Sequence, residues 1–256
     1  MTIPIIRPRT PEDALLMRRS LGERARYIAG GTALQLAWPE GRADHPLVDL
    51  SGLDAGPLMR IEDDGAVTLS AFATLETLRR HAGLATRLPV LPEAIGAIAA
   101  WGVRELATLG GNIAWRAGDL VPLLLALDAS VTGLDGDVAL CDWLAEPGED
   151  LLLSVTVPAL SEGTRVIFEK VGRRAAFSPS LVTVAAVTGP AGTRIAVGGG
   201  PVPPSLAALP AGAMLSQEAL AALFALPADD FLSGPARSRL AARVLAGHLA
   251  RDPRAS

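Results

Sequence analysis

Short apolar runs bounded by turn residues alternate along the chain with stretches whose apolar positions recur every three to four residues. That mixture predicts strands and helices together rather than either alone. Residues 3–6 read as a first strand. Thr10-Pro11-Glu12-Asp13 then opens a helix carrying Ala14, Leu15, Met17 and Leu21, with Thr10 as N-cap and Pro11 in the first turn, where the N–H it lacks has no helical acceptor. Residues 26–29 predict a strand that runs straight into Gly30-Gly31, and residues 32–38 have helical or turn character until Pro39. Residues 47–50, 58–61 and 66–70 read as strands, the last two joined by the turn Glu62-Asp63-Asp64-Gly65. A short helix starts over 74–78. An alanine-rich helix is predicted over 92–100, with Ile95 and Ile98 on one face and Trp101-Gly102 ending it.

A second glycine pair follows, and residues 119–128 predict another apolar helix. Residues 129–132 and 137–140 look like a hairpin around Gly133-Leu134-Asp135-Gly136, and 151–157 is a strand stopped by Pro158. From Arg165 the pattern becomes antiparallel: strands over 165–170, 181–188 and 193–197, then helices over 217–224 and 235–249. This places a boundary near Ser161-Glu162-Gly163. The run Gly198-Gly199-Gly200-Pro201-Val202-Pro203-Pro204 reads as a connecting loop.

Composition narrows the function classes. With 256 residues, half of them apolar and a fifth charged, the chain can bury one large core or two to three smaller ones. The longest strongly apolar run, residues 120–127, is interrupted by Pro122 and falls short of the roughly 18 residues a membrane span needs. The first eight residues lack a basic head followed by an apolar signal stretch, so the expected compartment is the cytoplasm. A net charge of −4 with scattered arginines argues against a nucleic-acid partner. Cys141 is the sole cysteine, which excludes an internal disulfide or a four-cysteine cluster within this polypeptide. His45, His81 and His248 show no metal-ligand spacing, and no metal site is expected.

The candidate chemistry lies in the glycine pairs. A pyrophosphate must be approached closely by backbone N–H groups, and adjacent glycines permit this because no Cβ intervenes and positive φ is allowed. Ala29-Gly30-Gly31-Thr32 follows a strand and adds a hydroxyl donor; Gly110-Gly111 is flanked by Thr108 and Asn112. Each pair alone is a common turn, whereas two anion nests suit a diphosphate. No Gly-x-Gly-x-x-Gly opens a helix, and no Gly-Lys-Ser/Thr occurs, so nicotinamide binding of the Rossmann kind and nucleotide hydrolysis are set aside. Asn112 is the only asparagine and Lys170 the only lysine. Either a composition bias thinned both residue types and left these survivors by chance, or each is kept for a role that needs its chemistry, a side-chain amide donor or a compact charge that arginine cannot replace.

Four segments occur in order: Ala-Gly-Gly-Thr at 29–32, Val-Arg-Glu-Leu-Ala-Thr-Leu-Gly-Gly-Asn-Ile at 103–113, Leu-Leu-Leu-Ser-Val-Thr-Val-Pro at 151–158 and Phe-Glu-Lys-Val-Gly-Arg-Arg at 168–174. Together they resemble the FAD-binding medium subunit of the molybdenum hydroxylases, the family of xanthine dehydrogenase and aerobic carbon monoxide dehydrogenase. The resemblance covers nearly the whole chain. It implies an α+β architecture: a two-subdomain FAD-binding domain of the vanillyl-alcohol-oxidase/PCMH type over 1–160, divided into about 1–55 and 56–160. A C-terminal domain of the CO dehydrogenase flavoprotein type, with an antiparallel sheet, would cover 161–256. It implies an oxidoreductase subunit in which FAD passes electrons from a small [2Fe–2S] subunit to an external acceptor. A large subunit would carry the molybdopterin cofactor.

By resemblance, Ile28, Ala29, Gly30, Gly31, Thr32, Ala33 and Leu34, with Thr108, Gly110, Gly111 and Asn112, hold the pyrophosphate and its neighbouring groups. Asp119 matches an acid that binds ribose hydroxyls or the adenine amine, or else caps the helix after it. Leu152 matches a position near the adenine, and Lys170 one near the flavin, where a positive charge would favour the reduced ring. Arg104, Arg173 and Arg174 stand outside the site set, with three roles open to them: binding cofactor phosphate, pairing with acids or facing a partner subunit. The link Ile-Ala-Trp-Arg-Ala-Gly between Asn112 and Asp119 is about two residues shorter than the family's. A flavin-free assembly subunit and a stand-alone flavin oxidase of the same fold stay open as alternatives.

Overall fold

The computed structural model describes residues 3–54, 56–146, 148, 151–174, 178–213 and 215–250. Strand β1 (Ile5–Ile6) leads into helix α1 (Pro11–Ser20), where the Thr10 side chain accepts from the Asp13 N–H as the sequence predicts. Strand β2 (Arg26–Ile28) is followed by two short 3₁₀ turns, Leu34–Ala37 and Pro39–Gly41, so Pro39 starts a turn as well as ending one. Strand β3 (Leu47–Asp49) then pairs in parallel with both earlier strands, giving a three-stranded sheet of order β1-β3-β2.

The hairpin β4 (Met59–Ile61) and β5 (Val67–Ser70) opens a second sheet. Six helices follow, from α2 (Leu75–Arg80), α3 (Ala82–Arg87) and α4 (Val90–Gly96) to α5 (Trp101–Arg104), α6 (Leu109–Ala114) and α7 (Val121–Ala126). The alanine-rich helix thus starts two residues before and ends four residues before the predicted 92–100. Gly96 and the left-handed Ala99 (φ 47°) break it, although Ile95 and Ile98 are buried as expected. The hairpin β6 (Ser130–Gly133) and β7 (Gly136–Ala139), helix α8 (Leu140–Ala145) and strand β8 (Ser154–Val157) complete an antiparallel sheet of order β4-β5-β8-β6-β7. Residues 151–153, expected in that last strand, precede it.

The remaining elements are β9 (Arg165–Gly172), β10 (Ser180–Gly189), β11 (Gly192–Gly198), β12 (Ser205–Leu209), α9 (Gln217–Leu223) and α10 (Gly234–Leu249). The four strands form an antiparallel sheet of order β12-β11-β10-β9. The α+β class and this sheet agree with the sequence reading; β12, α3, α5 and α8 were not anticipated. Helix α7 sits against β10, β11 and β12 as well as α8. All six of its residues are buried, which explains why it is apolar all round rather than on one stripe. Burial of each of its leucines contributes about 1.5–3 kcal/mol, and the helix ties the second sheet's core to the third.

Candidate functional site

The two glycine pairs are built differently. Strand β2 delivers the chain to Gly30, whose φ is not positive, and Gly31 then turns it with φ 69°. A Cβ on Gly30 would lie 1.8 Å from the carbonyl oxygen of Leu106. The first pair therefore presses its backbone onto the segment that leads to the second. Among the described residues, the N–H groups of Gly30, Gly31, Thr32 and Ala33 make no hydrogen bond within the protein, while the Gly31 carbonyl accepts from Gln35 at 3.0 Å. Four donors in succession are left for something else.

The second pair is not a loop. Gly110 and Gly111 lie in helix α6, capped by the Thr108 side chain, which accepts from the Gly111 N–H at 3.0 Å. The Leu109 N–H donates to the Ala73 carbonyl (3.0 Å) and the Gly110 N–H to the Ala71 carbonyl (2.7 Å). Neither glycine has positive φ. The expectation of a second anion nest is corrected here: these N–H groups already have partners. Gly110 is needed for close packing, since its Cβ would meet Ala71 at 2.9 Å. The Leu75 N–H, which donates to the Ala107 carbonyl at 2.8 Å, adds another tie.

An ionic cluster fixes this second segment. Glu76, in α2, has 1% of its side chain exposed and receives Arg79 (2.6 Å), Arg80 (3.0 Å) and Arg104 (2.8 Å). Arg104 also donates to the carbonyls of Ile98 and Ala99, both at 2.9 Å. The Arg79 guanidinium, seconded by that of Arg104, holds the Glu76 carboxyl down at about 2, against the opposing effect of burial. Of the roles open to Arg104 from the sequence, pairing with an acid is the one the structure shows: it is a structural brace.

Between the first sheet and α6 lies a cavity of about 340 Å³, within the range of ligand pockets. Ile28, Ala29, Gly30, Gly31, Thr32, Ala33 and Leu34 line it, with Thr108, Gly111 and Asn112. An adjoining chamber of about 90 Å³ is lined by Gly110 and Leu152 along with Tyr27, Phe72 and Trp143. Arg18, Arg26 and Arg116 border the main cavity, and no described carboxylate side chain does. In a chain of net charge −4, a concave surface with three guanidiniums and no described acid suits an anionic ligand. Arg18, Arg26, Arg116 and Trp143 escaped the sequence reading because nothing local marks them.

Asp119 and Lys170 line neither chamber. They meet each other: Lys170 Nζ lies 2.9 Å from Asp119 Oδ2, with 7% and 21% of the side chains exposed. Ser180 donates to the other carboxylate oxygen. Asn112 spends its Oδ1 on the Leu120 N–H at 3.2 Å, which leaves its amide nitrogen as the donor toward the cavity it lines. The short link after it fits because Gly118 passes within 2.1 Å, measured from its absent Cβ, of the Asn112 carbonyl oxygen.

Residues 1–160 match the family described as the FAD binding domain in molybdopterin dehydrogenase. The chain is 34% identical over 188 residues to the carbon monoxide dehydrogenase medium chain of Afipia carboxidovorans, a match spanning 66% of this chain and 62% of that one. It is 32% identical over 200 residues to the uncharacterized protein YgfM of Escherichia coli K12, covering 75% and 73% of the two chains. Among solved structures, the Cu,Mo-CO dehydrogenase in its cyanide-inactivated form has a chain that superposes with a TM-score of 0.82 at 25% identity. That match covers 95% of this chain and 94% of the other.

Proposed function

This chain belongs to the family of FAD-binding domains of molybdopterin dehydrogenases, and from that premise we propose that it is the electron-transfer flavoprotein subunit of a molybdenum hydroxylase complex. Residues 1–160 form the cofactor-binding domain in this reading, and the chain from 161 onward the C-terminal domain. A small [2Fe–2S] subunit delivers electrons to it, a large subunit carries the molybdopterin cofactor, and an external acceptor takes the electrons away.

The observation that carries the reading is the cavity that no described carboxylate borders, with its row of unbonded N–H groups at Gly30, Gly31, Thr32 and Ala33. Those donors would take the pyrophosphate of FAD, with the Thr32 hydroxyl and the Asn112 amide beside them. The neighbouring chamber, floored by Leu152, Phe72 and Trp143, offers an apolar slot for the adenine ring. When bound, FAD supplies a group that accepts electrons and releases them singly or in pairs. The protein positions it and sets its electrostatics, with no acid–base residue required.

Purifying the chain, adding FAD and recording a visible spectrum tests the reading. Flavin bands that stay with the protein through gel filtration are the expected result, and their absence sinks it. Gly111→Asp, which would put a carboxylate into a cavity that no described carboxylate borders, should abolish retention. Pull-down of a cysteine-rich small subunit and a molybdenum subunit tests the assembly, and turnover of a substrate by the chain alone would overturn the relay role. The flavin-free alternative draws support from the second glycine pair, whose N–H groups are already satisfied, and from Lys170, whose charge is matched by Asp119. The same spectrum separates the two.

A further inference from the structure

The link between α6 and α7 holds one residue in a conformation that its side chain disfavours. Arg116 has φ 62°, a left-handed backbone that is unfavourable for a residue with a Cβ and persists where the surroundings enforce it. Its neighbours fix it on both sides. The Arg116 N–H donates to the Ile113 carbonyl at 2.7 Å, and the Ala117 N–H to the Trp115 carbonyl at 2.8 Å. One guanidinium nitrogen donates to the Leu144 carbonyl in α8. No described carboxylate pairs with it, and its side chain borders the main cavity. The result is a tethered cation whose remaining donors meet no described counter-charge, on the cavity that the four unbonded backbone N–H groups also line.

We propose that Arg116 is a specificity-determining residue that grips the diphosphate of the bound dinucleotide. The inference rests on the reading of the cavity as the FAD site and adds a charge that the family resemblance did not assign. The shortened Asn112–Asp119 link makes it possible: the tight turn at Arg116, closed by Gly118 against Asn112, brings a guanidinium to the cavity border. A guanidinium suits this place because its planar fork can give one N–H to Leu144 and keep others for two phosphate oxygens. Arg26 also borders the cavity, but it donates to the Glu23 and Ala25 carbonyls of its own turn. Arg18 stacks over Tyr27 with its guanidinium carbon 5.5 Å from the ring centre.

The test uses the full chain freed of flavin and titrated with FAD at low and high salt, alongside Arg116→Gln, Arg116→Lys and Arg116→Gly. Loss of a charge-assisted contact should weaken FAD binding roughly ten- to a hundredfold in the glutamine variant and flatten the salt dependence of its Kd. Lysine should recover most of the affinity and the wild-type salt dependence. Glycine should bind as weakly as glutamine while melting no lower than wild type, because it relieves the left-handed strain. Riboflavin, which has no phosphate, should bind all four proteins alike. Equal FAD affinity and salt dependence in wild type and Arg116→Gln would overturn the proposal. So would a loss in Arg116→Gln that Arg116→Lys fails to recover and that tracks a lowered Tm, since that marks a structural role. Failure of the wild-type chain to bind FAD at any salt would instead strike the reading of the cavity beneath it.

Discussion

Gly30-Gly31 and Gly110-Gly111 are the same dipeptide doing opposite things. The first turns a chain leaving a strand, with its backbone N–H groups unbonded and one residue at φ 69°; the second is the opening turn of a helix with every N–H occupied. The difference lies in what each is packed against. Gly30 lies against the Leu106 carbonyl, so the first pair takes its shape from the second segment. That segment takes its shape from Glu76 and Arg104, which hold α2, the 98–99 turn and α5 together. Two glycines in a row therefore do not define an anion site; unspent donors do.

The largest expected effect comes from removing the brace. Glu76→Gln leaves Arg104 and its neighbours without their buried counter-charge, a loss of about 3 kcal/mol or more, read as a lower urea midpoint. FAD affinity should fall with it, because the second segment supports the first. The pH dependence has a defined sign. The folded pKa of Glu76 is depressed from 4.5 to about 2, so its contribution is complete above pH 4.5 and is lost as the pH falls toward 2. The variant should lack that part of the acid-side slope. A wild-type slope in Glu76→Gln would show that other carboxylates govern acid unfolding.

Gly30→Ala comes next. Its methyl would sit 1.8 Å from the Leu106 oxygen and 2.4 Å from the carbonyl carbon, and backbone cannot rotate away as a side chain can. Separating the two segments should cost about 2–3 kcal/mol and eliminate retained flavin. A variant of wild-type stability and flavin content would break the comparison, because the segments would then not be in contact.

How much of this was legible in the sequence depends on range. Thr10, Thr74 and the Glu62-Asp63-Asp64-Gly65 turn announce local structure through neighbours in the chain, and each was placed correctly. The first glycine pair was legible because a strand runs into it. The second was misread, since what makes it helical is the pairing of residues 71–75 with 107–110, some 35 residues apart. Arg116 and Arg104 look like any other arginine in a chain that favours arginine. Lys170 stood out by rarity, yet its partner Asp119 lies 51 positions earlier, and only the third sheet's docking on α7 brings them together. Strand β12 was hidden behind a glycine- and proline-rich run that reads as pure loop.

A smaller effect is expected at Gly31. Alanine there must adopt φ 69° and would approach the Ile28 and Gln35 side chains at 3.1 and 3.2 Å, at a cost of about 1–2 kcal/mol. Both neighbours can give way, so the fold should survive with a Tm lowered by several degrees. Flavin affinity should drop more than stability does, because the strain falls on the residue whose turn aims the four N–H groups. Equal proportional losses in both would mean that the turn shapes the fold and not the donors.

The smallest effect, and the sharpest test of the contrast, is Gly111→Ala. An alanine Cβ there would meet one atom, the Thr108 Oγ1 at 2.9 Å, and displacing that cap costs about 1 kcal/mol. Replacing glycine by alanine inside a helix returns about as much, so urea midpoints of variant and wild type should agree closely. Gly111 nevertheless lines both chambers, and a methyl there occupies ligand space. Stability unchanged with weakened FAD binding would show that this glycine is kept for the ligand and not for the backbone, the reverse of its neighbour Gly110, which packs at 2.9 Å on Ala71. Unchanged binding would confine the cofactor to the first pair and leave α6 as a wall that supports it.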